Sequence, residues 1–449
     1  MKMTPRHYWV VFVASLGQLV GTAVATLAGI IIPMINILRH PELSSFMQGL
    51  IGAADLIGIV FGSVVFGRLS DRYGYLFFFR FCPALILLGA VLAILFPNVT
   101  MLVVALFIIG FGIGGEYSLD SDYISELMPA SRSSLMIGVG KAGSAFGNII
   151  VAGVCYLLLS DWKNAAYWPR LMWIIAIIAG VMILCRLKFY ESPKWLLDHG
   201  RLADAQRAAE GFFGPDARIN PAAASPAPSP VKTPRLHHRV GVLSFLRQNG
   251  KRIILSGIPW ACEGLGVYGI GVFLPILVLA LGLEHIPAGA PQIMHVISSV
   301  EVTFWISCLI LPGFVLGLIL INKNKSITAI QSWGFWLCAV SMAILALAFH
   351  YKWPAWISIV SFMAFELFLN MGPHLITYVL PARIYPVEDR GEGTGIAASI
   401  GKIGAVLGVF CIPMLLKAGG AMLVLIVSIA VMALGAVITQ LYSPLVKNS

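Results

Sequence analysis

Long apolar runs alternate with short polar segments along the whole chain. Runs near residues 8–38, 46–66, 76–96, 101–125, 134–159 and 169–189 form a first set, and runs near 253–280, 292–321, 326–350, 353–380, 392–416 and 419–442 a second. Each reaches the roughly 20 residues that a helix needs to cross a bilayer core. The pattern predicts an all-α membrane protein with twelve transmembrane helices in two pseudo-symmetric six-helix bundles, 1–189 and 251–449. Between them lies the one extended polar segment, 190–250, read as a central loop. It carries a predicted short helix from Asp198 to Phe213 and a flexible Pro/Ala/Ser linker from Pro221 to Pro230.

Composition removes the soluble alternative. The chain is 59% hydrophobic and 11% charged, with a mean hydropathy of +0.89, against roughly 25% charged residues in soluble proteins. The net charge of +10 does not argue for nucleic acid, because the basic residues sit between apolar runs. With a cytoplasmic N-terminus, 23 basic residues fall in inside segments, five in outside segments, and Lys141 and Lys402 within spans. That bias matches the positive-inside rule and places both termini and the central loop in the cytoplasm. The seven cysteines lie in apolar stretches without CxxC spacing, as small buried hydrophobes do. The first apolar run is too long for a signal-peptide core and is read as the first span.

The halves echo each other. Met128-Pro-Ala-Ser-Arg132 followed by Gly140-Lys-Ala-Gly143 and Gly147 parallels Tyr385-Pro-Val-Glu-Asp-Arg390 followed by Gly401-Lys-Ile-Gly404 and Gly408. An offset of 245 also aligns Gln18 with Glu263. Parallel repeats of this kind are one transporter architecture.

After the second span stands Gly67-Arg-Leu-Ser-Asp71-Arg72-Tyr-Gly74-Tyr-Leu, which resembles the major facilitator superfamily signature G-x-L-x-D-R-x-G-R-[RK]. Gly112-Ile-Gly-Gly-Glu-Tyr-Ser-Leu, Glu126-Leu-Met-Pro129 and Glu191-Ser-Pro-Lys-Trp-Leu-Leu197 resemble the sugar-porter and metabolite:proton symporter branches. The second half matches mainly through Pro386, Arg390 and Gly391. The signature lacks its basic pair, having Tyr75 and Leu76, and its second-half counterpart is reduced to Gly317-Leu-Ile-Leu-Ile-Asn322-Lys323. Arg383 replaces a glutamate that many relatives carry, and neither Gln-Leu-Ser in the seventh span nor a terminal Pro-Glu-Thr-Lys is present. The resemblance therefore implies a small organic acid or other metabolite before a sugar. It also implies a cytoplasmic gate formed by Gly67, Asp71, Arg72, Gly74, Glu126, Arg132, Glu191, Arg383 and Arg390. In that gate Asp71 faces the N-terminus of a neighbouring helix, and Glu126, Arg132 and Glu191 cluster with the two second-half arginines.

Ionisable residues near a helix centre cost about 2.5–3.5 kcal/mol on insertion scales, so each needs a partner or a wet cavity. Glu263 lies near mid-depth among Gly264, Gly266, Gly269 and Gly271, and Gln18 reaches the same depth in the first span. Glu366, Asn370 and His374 recur every four residues and form one predicted polar stripe, with Thr377 beside it. Glu116 and Asp120 share a face of the fourth span, and Lys141 stands at a depth that predicts a bridge to Asp120. Lys402 has no acid close in sequence and is a candidate for an anionic solute group, with Asp55 of the second span within possible reach.

These residues point to a secondary transporter working by alternating access, with proton symport as the favoured coupling and sodium open. Glu263, Asp55, Glu116 and Asp120 are the proton-coupling candidates; Gln18, Glu366, Asn370, His374, Lys402 and Lys141 are the substrate-cavity candidates. The chain is read as a monomer in the lipid bilayer, with a bacterial inner membrane favoured. No Walker loop, HExxH or Cys/His cluster calls for ATP, a metal or another cofactor, and no catalytic constellation marks an enzyme. Proton-driven efflux by antiport and a non-transporting receptor on the same scaffold are the rival readings.

Overall fold

A computed structural model describes residues 5–128, 136, 138–214, 217–219, 242–287, 289–323, 326–385 and 390–447. Side chains at 71, 121–123, 125, 126, 242–244, 382, 390–392 and 447 lie outside that description. The described chain is helical throughout. In order come α1 (Pro5–Leu38), α2 (Ser45–Tyr73), α3 (Tyr75–Leu95), α4 (Val99–Leu127), α5 (Gly143–Trp162) and α6 (Trp168–Arg186). The short helices α7 (Pro193–Asp198) and α8 (Leu202–Phe213) follow, then α9 (Val242–Gly264), a π-helical turn over Leu265–Ile270, and α10 (Leu274–Ala280). The remainder is α11 (Gln292–Ser307), α12 (Ile310–Asn322), α13 (Ile327–His350), α14 (Ala355–Met371), α15 (Pro373–Ile384), α16 (Arg390–Tyr442) and α17 (Pro444–Lys447).

Eleven helical stretches among the described residues are long and apolar enough to cross a membrane. The last of them, Gly393–Tyr442, has 50 residues. A straight helix of that length would run about 75 Å, more than twice the ~30 Å hydrocarbon core. It is broken at Gly419 (φ −148°, ψ 18°) and Gly420 (φ 66°, ψ −168°) into two arms. Counting both arms gives the predicted twelve crossings. The exterior fits lipid: Leu157, Leu184, Trp333 and Leu441 are each about two-thirds exposed, which water would penalise and acyl chains do not.

The predicted helix from Asp198 to Phe213 is two helices. Gly200 takes a positive φ of 73°, a conformation glycine adopts without steric cost, and so separates α7 from α8. Helix α8 is amphipathic, burying Ala205, Ala208, Ala209 and Phe212 while Arg201 and Arg207 stay exposed. The last stretch of the predicted central loop is helical, because α9 already begins at Val242. The Pro221–Pro230 linker lies outside the described residues.

Contacts divide the chain into two compact units. One comprises Met1–Thr22, Ile57–Gly147 and Met172–Val242; the other comprises Ala23–Leu56, Asn148–Leu171 and Leu243–Ser449. In the first, α3 lies along α4, and Phe66, Phe78, Phe79, Cys82, Leu119 and Phe189 belong to its core. In the second, α13 packs on α14 and α16, and the π turn packs on α16.

Candidate functional site

In the first unit, α4 presents Glu116 and Asp120 one turn apart, both buried. Two carboxylates at i and i+4 share a helix face and repel unless a cation lies between them. Arg186, the last residue of α6, supplies it and is itself fully buried. Its guanidinium grips Glu116 with both terminal nitrogens, at 2.8 and 2.5 Å, and stands 3.7 Å from Asp120 Oδ1. It also donates to the Phe79 carbonyl at 2.7 Å and lies 3.7 Å from the Phe79 ring centroid. The forked, two-point geometry is the strong form of an ion pair. Helix α1 approaches this pair closely because residue 17 is glycine: a Cβ there would come within 2.9 Å of the Glu116 Cβ.

Lys141 donates to Gln18 Oε1 at 3.1 Å, lies 5.1 Å from the Tyr117 ring centroid, and is within electrostatic reach of Asp120. The bridge to Asp120 expected of Lys141 thus has a competitor that sequence reasoning missed. Arg186 looks like a boundary charge at the end of the sixth run, yet it is the guanidinium that Glu116 and Asp120 share. Two buried acids on one helix face were the available signal that a buried base had to exist.

In the second unit, Glu263 is the penultimate residue of α9, just before the π turn, and His374 is the second residue of α15, just after the break at Gly372 (φ −121°, ψ −82°). Glu263 Oε1 and His374 Nδ1 make a direct hydrogen bond, both residues being buried. Tyr378 and Phe314 meet the imidazole edge-on, with ring centroids at 5.8 and 5.3 Å. The pair therefore sits where two helices lose their regular ladder, as solute sites in transporters do. The four-residue stripe predicted on the tenth span is interrupted by a helix break at Gly372. The Gly372 break leaves Glu366 and Asn370 on α14, where Asn370 Nδ2 donates to the Glu366 carbonyl and carboxylate at 2.8 and 3.3 Å. His374 belongs with Glu263 instead. Thr377, which is fully buried, donates to the His374 carbonyl at 3.4 Å.

A third group joins Asp55 to Lys402. Asp55 is buried on α2, with one carboxylate oxygen accepting from the Leu56 amide at 2.8 Å and the other without a hydrogen-bond partner. Lys402 acts on it electrostatically, and its ammonium is 3.4 Å from the Tyr268 hydroxyl and 4.8 Å from the centroid of that ring. Gln18 and Glu263, paired by sequence offset, stand in different units and in different clusters.

The gate candidates separate likewise. Arg132 lies outside the described residues, as do the side chains of Asp71, Glu126 and Arg390. Glu191 was expected among arginines, but it caps α3: its two oxygens accept from the Tyr75 and Leu76 amides, each at 3.0 Å. The first amides of a helix lack internal acceptors and lie at its positive end, so a carboxylate is well placed there. Glu191 makes no ion pair among the described residues. Gly74 makes this cap possible, with a φ of 96° and a Cβ position that would lie 3.1 Å from the Glu191 carboxyl carbon. Gly67 has room for a Cβ, its closest neighbour being Ser118 at 3.7 Å. Arg72 is exposed against the Tyr73 ring at 5.3 Å, and Arg383 is exposed on α15 in the other unit.

A family model described as "Sugar (and other) transporter" matches residues 20–449. The chain belongs to that family. Among similar curated proteins is the "Inner membrane metabolite transport protein YgcS" of Escherichia coli, 24% identical over 406 residues that cover 90% of this chain and 84% of the relative. Another is the "Putative inorganic phosphate transporter 1-13" of Oryza sativa, 23% identical over 84% of this chain and 77% of that protein. Among solved structures, that of a D-xylose-proton symporter superposes with a TM-score of 0.78 at 19% identity, covering 98% of this chain and 99% of that one. The protein thus has the major facilitator fold of the solved symporter and, as a member of the sugar (and other) transporter family, is a multi-pass transporter and not an enzyme.

Proposed function

We propose that the protein is a proton-coupled transporter that carries a small organic solute, an organic acid or other metabolite before a sugar, by alternating access. The observation that carries this reading is the Glu263–His374 hydrogen bond at two helix interruptions. A carboxylate and an imidazole in direct contact can share, gain and pass on a proton, and a proton carrier must do so within the working pH range. Glu263 is the proton-exchanging residue in this scheme, with His374 its partner and Asp55 the second acceptor. Lys402, beside Tyr268, supplies positive charge for an anionic solute. The relative named for inorganic phosphate transport supports an anionic solute. The two six-helix halves, 1–189 and 251–449, are the moving bodies. Both termini are cytoplasmic, and the inner-membrane name of the Escherichia coli relative supports the same location here.

The test begins with purified protein screened for thermal stabilisation by carboxylates, phosphate, amines and sugars, since a specific ligand stabilises by mass action. The stabilising solute is then followed into proteoliposomes under an imposed pH gradient. Glu263→Gln is expected to abolish uphill accumulation while leaving solute exchange. Undiminished proton-driven accumulation in that variant would remove Glu263 from the coupling step.

A further inference from the structure

A cavity of about 1220 Å³ lies within the first unit, where the beginning of α3 and the end of α6 meet α7 and α8. It is larger than the roughly 300–1,000 Å³ of ordinary small-molecule sites. Its lining is both apolar and basic. Phe77, Phe81 and Ala84 of α3, with Leu187, supply the apolar part, Phe77 being 63% exposed and Leu187 58%. Arg80 of α3, Lys188 after α6, and Arg201 and Arg207 of the loop-helix region supply the positive charge.

The lining carboxylates are already engaged. Glu191 caps α3 through the Tyr75 and Leu76 amides. Asp204 is held between Arg201, at 2.8 Å, and Arg207, and these guanidiniums keep its carboxyl below the usual range. Arg80 donates to the carbonyls of Arg186, Leu187 and Phe189 at 3.2, 2.8 and 2.9 Å, contacts that orient its charge without neutralising it. Lys188 is exposed and makes no ion pair among the described residues. Four cations thus line the cavity with two occupied carboxylates, beside the exposed side chains of Phe77 and Leu187.

We propose that this cavity binds an anionic glycerophospholipid, its phosphate against Lys188 and Arg207 and its acyl chains along Phe77, Phe81 and Leu187. Basic pockets at the ends of transmembrane helices are suited to anionic headgroups, and aromatic rings with basic side chains mark the level of the membrane interface. A soluble anion would use the cations but gain nothing from the exposed apolar wall, which is why the lipid is the occupant of choice. The site is separate from the buried charge clusters and does not rest on the transport reading.

The experiment is native mass spectrometry of the delipidated, purified full chain titrated with phosphatidylglycerol, with phosphatidylcholine of the same acyl chains, and with glycerol 3-phosphate. The Lys188→Gln/Arg207→Gln double variant is compared with Lys163→Gln/Lys417→Gln, which removes two exposed basic residues remote in sequence from the cavity. The native chain is expected to retain phosphatidylglycerol over phosphatidylcholine. The cavity variant should lose about thirtyfold in that preference, from two charges worth about 1 kcal/mol each near an anionic surface; the control variant should keep it. Both variants change exposed side chains, and an unaltered melting temperature checks that they fold. Equal retention of both lipids by the native chain, or the same preference in the cavity variant, overturns the site. Binding of glycerol 3-phosphate as tight as that of the lipid overturns the assignment to a lipid.

Discussion

Replacing Arg186 by Met tests whether the first unit is built around its buried cation. The side chain leaves Glu116 without its two-point partner at 2.8 and 2.5 Å and Asp120 without the guanidinium at 3.7 Å. Methionine fills similar volume, so the change is chiefly electrostatic. Removing one member of a buried pair costs about 3–5 kcal/mol, because the other charge stays desolvated. At roughly 2–4 °C per kcal/mol for a body of this size, the melting temperature should fall by about 10 °C. Cys82 offers the readout: it is fully buried in the same core, so in a background with the other six cysteines replaced a thiol-reactive dye reports the opening of this unit. The triple variant Arg186→Met/Glu116→Gln/Asp120→Asn, which leaves no isolated charge, should recover more than half of the loss. A fall below about 2 °C for Arg186→Met, or a triple variant less stable than the single, would refute the claim that charge satisfaction holds these helices together.

Two further outcomes follow from the geometry. Gly74→Ala forces a β-carbon onto a φ of 96° and towards the Glu191 carboxylate, and should cost at least 1 kcal/mol. Glu191→Ala removes the cap and should cost about 0.5–2 kcal/mol. Because both act on one contact, the double variant should lose less than the sum of the singles in thermal unfolding; full additivity would deny the coupling. Lys402→Met removes a charge from beside Asp55 and Tyr268. With an anionic solute established, KM in proteoliposomes should rise at least tenfold, whereas an unchanged KM excludes Lys402 from recognition.

The spans were legible because a bilayer imposes one rule on every segment, and runs of twenty apolar residues report it directly. The partners within the membrane were not, because they are set by packing between distant segments. Glu263 and His374 are 111 positions apart, and their meeting depends on breaks in both helices. One of those breaks is marked in the sequence by Gly372-Pro373, which interrupts the four-residue spacing from Glu366 to His374. Arg186 was hidden by its place at the end of a run, where a basic residue ordinarily anchors a helix to the interface. Glu191 was recognisable as a marker residue, yet its occupation with backbone amides depends on the positive φ of Gly74, which a carboxylate seen in sequence does not reveal.

The contact between Glu263 and His374 has an electrical consequence. With one proton shared between them the pair carries no net charge, whichever residue holds it; with two protons it carries one positive charge. A monovalent anion bound alongside the doubly protonated pair would make the added load electrically silent, whereas a neutral solute would leave one charge to cross the membrane potential, worth about 2.3 kcal/mol per 100 mV. Current recorded across a planar bilayer during uptake would therefore distinguish a charged passenger from an uncharged one.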